Sequence, residues 1–363
     1  MSARNNNLDA LRAIAALLVL WHHTSEVFLQ YLQSGEVHGK WVLDVAQALG
    51  FGNIGVVAFF AISGYVIPAS LRGNDRLAQL KKFGINRFFR LYPAFWVSIL
   101  PGVYACHMLW GKEMSAHDIA LNFTMIPEWL GARAAMGQYW SLQLELLFYV
   151  MCAALFAMKW LHQPRKLILI ALGMLVFFAL VRRGIYAYNV SYLCIMFFGA
   201  MCRKYKDSNT QPADRKWLQI AIMLFTAFWL VIFPAYGVFA IHQGIAQANL
   251  SSVFLSYAIG ILLFLVAIGT KDSRPGVCSW LGRISYSIYL LHPVVFYPML
   301  WWFSRTPALR EMGWHLGTIV GISALLTILL STIVYYVVEA PSVRLGKRLV
   351  KRLVRSSGEH ART

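Results

Sequence analysis

The chain has 363 residues, of which 59% are apolar and only 13% charged, against about 25% charged in an ordinary soluble domain. That balance excludes both disorder and an ordinary soluble fold. The formal charge of +18 would suit nucleic acid if it ran along one face, but Lys and Arg fall in short clusters between apolar runs, so membrane orientation explains them and nucleic acid is not an expected partner.

A bilayer core about 30 Å thick takes about 20 apolar residues at about 1.5 Å each. Ten runs approach that length: 10–28, 52–71, 89–110, 139–160, 167–181, 188–202, 217–239, 250–269, 284–303 and 315–338. The first holds Arg12, His22 and His23 and is followed by no small-residue cleavage site, so it reads as an uncleaved helix and not a signal peptide. The fifth and sixth are short for a span. Ten spans put both termini on one side, and on that threading 26 of the 33 Lys and Arg are cytoplasmic, as the positive-inside rule requires. Arg182 and Arg183, between the two short runs, are the main exception. The expected fold is therefore all-α, a polytopic integral membrane helical bundle of about ten transmembrane helices. Residues 1–343 form a single transmembrane domain, and 344–363 form a basic cytoplasmic tail whose stretch LGKRLVKRLVRSS lies on anionic headgroups. The five cysteines, Cys106, Cys152, Cys194, Cys202 and Cys278, have no CxxC or Cys/His spacing, so neither a disulfide framework nor a metal site is indicated.

Ionisable groups at membrane depth are expensive and usually line a cavity or pathway. In the first run His23 lies eleven residues beyond Arg12, about 16 Å of helical rise, which places it in the outer half. His22 points about 100° away from it. Glu145, in WSLQLE (140–145), lies less than two turns from the outer end of the fourth run and so at a similar depth. A carboxylate that orients a histidine makes a general base near neutral pH; a structural ion pair between two helices is the plain alternative. On the cytoplasmic side, LRGNDRLAQLKKFGINRFFRLYP (71–93) gathers six basic residues, with Arg87 and Arg90 on one helical face. Arginine forks suit phosphates, while topology signal and lipid headgroups account for the charge equally well.

Other features have plain readings beside functional ones. Gly50-Phe51-Gly52-Asn53-Ile54-Gly55 fits GxGxxG but opens an apolar run where a βαβ unit would be needed, so it reads as close packing by small residues. Ser63-Gly64 reads either as a packing point or as part of a site. His292, in ISYSIYLLHPVV, is either a core histidine before Pro293 or a cavity group. Glu339, in VEAP, would pair with nearby Arg or Lys. Trp140 and other outer aromatics fit an interfacial belt as well as a sugar-stacking surface.

Together these segments resemble acyltransferase family 3, the integral-membrane O-acyltransferases of bacteria with some eukaryotic relatives. The resemblance rests on six pieces in family order: LDALRAIAALLVLWHH (8–23), with R-x10-H at Arg12 and His23; GVVAFFAISGYVI (55–67); RFFRLYP (87–93), with RxxR; YWSLQLELLFY (139–149); LGRISYSIYLLHP (281–293); and VEAP (338–341). Val57 departs from the pattern, standing where many members carry an acidic residue. The resemblance implies transfer of an acyl group, usually acetyl from acetyl-CoA, to a hydroxyl of a carbohydrate or glycolipid acceptor. It implies that His23 is the essential histidine and that Arg87 and Arg90 belong to the acyl-CoA site. With Glu145 beside His23 in the catalytic set, the candidate substrate-binding residues are Arg12, Ser63, Trp140, Ser141, Tyr286 and His292, with no metal. His23 would act as a base on the acceptor hydroxyl or carry the acyl group itself. About 25 residues follow the last apolar run, so the expected form is a stand-alone enzyme of a bacterial inner membrane without an external hydrolase-like domain. A homo-oligomer is compatible with this reading. The rival reading is a transporter or flippase for a glycan or lipid-linked sugar, against which stands the lack of paired broken helices in two repeated halves.

Overall fold

A computed structural model of the chain describes residues 5–31, 38–180, 185–243 and 251–360. Among them every regular element is a helix, apart from one isolated bridge between His38 and His315. In chain order the helices are α1 (Asn6–Tyr31), α2 (Trp41–Leu49), α3 (Phe51–Val66), α4 (Arg76–Cys106), α5 (Ala116–Asn122), α6 (Tyr139–Ala157), α7 (Pro164–Leu180) and α8 (Ile185–Tyr205). They continue as α9 (Pro212–Ala227), α10 (Phe233–His242), α11 (Ser251–Gly269), α12 (Val277–Arg305), α13 (Pro307–Glu311), α14 (Leu316–Val334) and α15 (Ala340–His360). π-turns at Phe228–Ile232 and Tyr335–Glu339 join α9 to α10 and α14 to α15 without a break. The body of each of the ten apolar runs is helical.

Five helical stretches are long and apolar enough to cross a membrane by length and composition alone: Phe51–Ser70, Tyr139–Ala157, Pro212–His242, Ser251–Gly269 and Leu316–Leu353. The other expected spans are shorter or more polar. Helix α7 has 17 residues, α1 holds Asp9, Arg12, His22, His23 and Glu26, and α8 ends on Arg203 and Lys204. Arg182 and Arg183 lie outside the described residues.

The chain divides into two compact units. The first comprises Met1–His22, Leu43–Ser70 and Leu144–Arg283. In it α3 packs against α8 and α11, and α7 against α8 and α9. Although its apolar run is short, α8 supplies the centre of this unit, with Cys194 through Phe198 fully buried. Val57, also fully buried, lies on α3 facing Gly260 of α11, where a Cβ would come within 2.6 Å of its side chain. The position is a packing point here. The start of α1 is tied down by polar contacts: Asn5 caps it through Leu8 N (2.9 Å), and Asn6 N and Asn7 Nδ2 donate to Asp272 (2.8 Å) and Thr270 (3.0 Å).

The second unit comprises His23–Val42, Leu71–Gln143 and Ile284–Thr363. Here α4 begins where Asp75 accepts from Ala78 N at 3.0 Å, an N-cap that lets the helix start in polar sequence well before its apolar run. Helix α15 packs against α4. It buries Gly346 and Val350, one turn apart, and exposes Arg344, Lys347, Arg348, Lys351 and Arg352. Glu339, buried in the π-turn, accepts a hydrogen bond from Ser287 at 2.9 Å. In the polar connection after α4, Ser115 caps α5. The Asp118 carboxyl is held below the usual carboxylate range by hydrogen bonds from the Ser115 side chain and the Arg133 backbone, with the Arg133 side chain adding to them.

Candidate active site

In the second unit the site grows from a His-Pro dipeptide in α12. Pro293 has no N–H, so the carbonyl of Tyr289, four residues earlier, loses its helical donor. The Nδ1 of His292 lies 2.8 Å from that carbonyl and donates to it. The other nitrogen of His292, Nε2, lies 3.0 Å from Nδ1 of His23. The ring centres are 5.3 Å apart and the planes 21° from parallel. The N···N distance plus one ring radius at each end accounts for that separation. The two nitrogens therefore point at each other, in the geometry of a hydrogen bond. His292 is buried, 1% exposed, while His23 is partly exposed.

The neighbouring polar groups belong to the start of α6 and to α12. The Tyr289 hydroxyl lies 2.6 Å from Ser141 Oγ and 3.1 Å from the Gln138 carbonyl, and the Gln138 side chain donates to the Leu290 carbonyl at 3.3 Å. Tyr286, one turn before Tyr289, donates its hydroxyl to the Leu91 carbonyl of α4 at 2.9 Å. Of the sequence-derived candidates, His23, His292, Ser141 and Tyr286 thus have their places set by α12 and its partners. Trp140 sits partly exposed in the first turn of α6. Gln138 and Tyr289 were not among the candidates. Tyr289 could have been found from its i−4 relation to Pro293.

In the first unit Glu145 is oriented by two hydroxyls. Its Oε1 accepts from Ser63 Oγ at 3.1 Å and from Tyr149 OH at 2.7 Å. The Glu145–Tyr149 spacing is one helical turn, a signal present in LELLFY that the sequence reading passed over. Arg12 pairs with Asp9 at 3.2 Å, and Asp9 is 2% exposed. That partner too stands at i,i−3 in the sequence. His22 faces α3, where a Cβ on Gly52 would come within 3.0 Å of its ring. The GxGxxG stretch is helix packing, with Gly50 in the left-handed region at φ 67° and Gly55 against the Ala15 carbonyl.

Arg87 and Arg90 lie on one face of α4, both partly exposed, with the Arg87 guanidinium 5.2 Å from the centre of the Phe83 ring. Arg76, Lys81 and Lys82 are exposed on the same helix. A planar guanidinium braced on an aromatic ring beside further cations is suited to a phosphate-bearing ligand. Among the described residues no group of three or more His, Cys, Asp or Glu is placed to hold a metal.

Comparison with known proteins places these residues in a family. Residues 5–336 match the acyltransferase domain profile of family 3. The chain is 29% identical to "Peptidoglycan O-acetyltransferase OatA" of Listeria monocytogenes, over 46% of this chain and 27% of that protein. It is 25% identical to "Putative peptidoglycan O-acetyltransferase YrhL" of Bacillus subtilis, over 96% of this chain and 56% of that protein. It is 26% identical to "Putative membrane-bound transacylase BcsY" of Komagataeibacter xylinus, over 80% and 72%. The chain thus spans 27% and 56% of the lengths of the first two of these relatives. No solved structure matches it. A profile match over nearly the whole chain, with the His23 segment, the Arg87/Arg90 segment and the His292 segment all inside it, means that this chain belongs to acyltransferase family 3.

Proposed function

We propose that the chain is a membrane O-acyltransferase that moves an acyl group, acetyl in the first instance, from acyl-CoA at the cytoplasmic face to a hydroxyl of a carbohydrate or glycolipid acceptor. The reading includes about ten transmembrane helices, both termini cytoplasmic, and a bacterial inner membrane. Its main support is the placement of His23, a partly exposed histidine whose Nδ1 is engaged by His292 at 3.0 Å, within a family of acyltransferases. Relatives named as acetylating peptidoglycan make a glycan the first acceptor to test.

In the direct mechanism His23 takes the proton of the acceptor hydroxyl as that oxygen attacks the thioester carbonyl. The C–S bond then breaks, and the thiolate of coenzyme A takes up the proton as it leaves. In the alternative, His23 attacks the thioester and takes the acyl group as the C–S bond breaks and coenzyme A leaves as the thiolate; the acceptor hydroxyl then attacks the acyl-histidine, the N–acyl bond breaks, and the hydroxyl proton passes by way of the freed imidazole to the thiolate. Arg87 and Arg90 hold the phosphates of the donor, and Glu145 is the second catalytic group. The carrying experiment is transfer of labelled acetyl from acetyl-CoA into glycan and lipid fractions of membranes that contain or lack the chain. Chain-dependent label in a glycan is expected. Label-free fractions together with chain-dependent movement of an unmodified glycan across the membrane would replace this reading with transport.

Two further outcomes are expected. Arg87→Ala and Arg90→Ala, each made singly, raise KM for the donor about 10- to 100-fold and move kcat less, since each charge-assisted phosphate contact is worth about 1.5–3 kcal/mol; an unchanged donor KM at low salt in both would remove both residues from the donor site. Glu145→Gln lowers kcat about 100-fold, whereas Tyr149→Phe, which deletes one of two donors to the carboxylate, lowers it about fivefold. Full activity in Glu145→Gln would make that residue structural.

A further inference from the structure

We propose that His292 is a positioning residue that fixes the tautomer of His23, so that the basic, acyl-accepting nitrogen of His23 is Nε2. The inference rests on the reading of His23 as base or carrier and adds to it which nitrogen does the work and what makes it so. A backbone carbonyl can only accept, so His292 Nδ1, 2.8 Å from the Tyr289 carbonyl, carries a proton. In the uncharged ring the other nitrogen, Nε2, is then an acceptor. That nitrogen faces His23 Nδ1 at 3.0 Å, so His23 must donate from Nδ1 and hold its lone pair on Nε2.

The arrangement is set by covalent structure. The carbonyl that anchors His292 is available because Pro293 withholds the N–H that would otherwise bind it, and the chain places donor, carbonyl and proline within five residues of one helix. Rotation of the His292 ring would lose both hydrogen bonds at a residue only 1% exposed, where an unpaired polar atom costs about 1–3 kcal/mol. Sequence order matters too. His292 reaches His23 from 269 residues away, so the tautomer of the essential histidine depends on α12 being docked.

The test is the tautomer itself. The full-length chain, with its histidines labelled with ¹⁵N at both ring nitrogens, is reconstituted in lipid nanodiscs, and the His23 signals are assigned by their loss in His23→Ala. The native chain is expected to show His23 protonated on Nδ1 and bare on Nε2. His292→Phe, which removes the acceptor, should move the proton to Nε2 or split the population. His292→Gln, whose side-chain oxygen falls near the site of the lost Nε2, should restore the Nδ1–H form. In turnover, the Phe variant should lose about 100-fold in kcat with donor KM within about threefold, and the Gln variant should recover most of that loss. An Nε2–H form of His23 in the native chain, or a His23 tautomer indifferent to His292→Phe, overturns the proposal even if His23 proves essential. Retention of transfer in His23→Ala would instead overturn the catalytic reading on which it rests and leave the tautomer result standing.

Discussion

His23→Ala is expected to reduce acyl transfer to the level of membranes lacking the chain, a loss of about 10³-fold or more, with the protein still folded. A positioned base contributes about 10²–10⁴ in rate, and a histidine that carries the acyl group leaves no route at all once removed. The fold survives because the ring is partly exposed, and the unpaired nitrogen left on His292 costs about 1–3 kcal/mol. His23→Asn, whose amide nitrogen falls near the site of the lost Nδ1, is the sharper variant. Its amide can still donate toward His292 Nε2, yet it has no basic nitrogen, so it separates hydrogen bonding from basicity. It is expected to be as inactive as the alanine variant, and substantial transfer by it would sink both the base and the carrier mechanisms. With the native chain, label exchange between acetyl-CoA and free coenzyme A in the absence of acceptor is expected only for the carrier route, which makes exchange the measurement that divides the two.

The helices were largely legible because their apolar runs are nearly as long as the bilayer is thick, and each run proved helical. Apolarity marked only the middle of some helices, however. Helix α4 starts at Arg76 behind an Asp75 cap, and α12 starts at Val277. Both extend into polar sequence, where a hydropathy reading stops but backbone hydrogen bonding does not. Helix α2 was missed because nine residues cannot span a membrane and so fell below the length sought. The π-turns at Phe228–Ile232 and Tyr335–Glu339 leave no periodic trace in so few residues. Among the candidate residues, Arg12, His23 and Glu145 were picked out by the expense of burying ionisable groups, and Asp9 and Tyr149 stood at helical spacing from Arg12 and Glu145. The His23–His292 contact was beyond such reasoning, since nothing local links residues 269 apart. What the sequence did hold was half of it, the proline that frees the Tyr289 carbonyl for whatever donor precedes it.

Gly64→Leu is expected to leave no stably folded protein, and Gly64→Ala to lower the melting temperature well below that of a matched control. Any Cβ on Gly64 of α3 would collide with the Met196 carbonyl of α8, and one on Gly199 of α8 would reach the Ala61 carbonyl of α3 and come within 3.1 Å of the Gly64 carbonyl carbon. The two backbones therefore touch at a Gly–Gly crossing. In a membrane, where lipid chains are as apolar as side chains, such close approach is what holds helices together. The obstructing atoms are backbone, which cannot turn aside as a flexible side chain can, so overpacking should cost at least about 1–3 kcal/mol for a methyl group and more for Leu. The consequence reaches the chemistry through Ser63, whose hydroxyl on the adjoining residue orients Glu145 at 3.1 Å; a displaced α3 would release that contact. Gly84→Ala is the control. Gly84 lies in a helix with nothing within 4 Å of an added Cβ, so alanine there should be neutral or stabilising by up to about 1 kcal/mol through helix propensity. Thermal melts of the three detergent-solubilised variants, read by size-exclusion chromatography, decide the matter. Equal melting temperatures for Gly64→Ala and Gly84→Ala would mean that α3 and α8 are not in backbone contact. A drop confined to Gly64→Ala, with acyl transfer lost before unfolding, would tie the helix crossing to the orientation of Glu145.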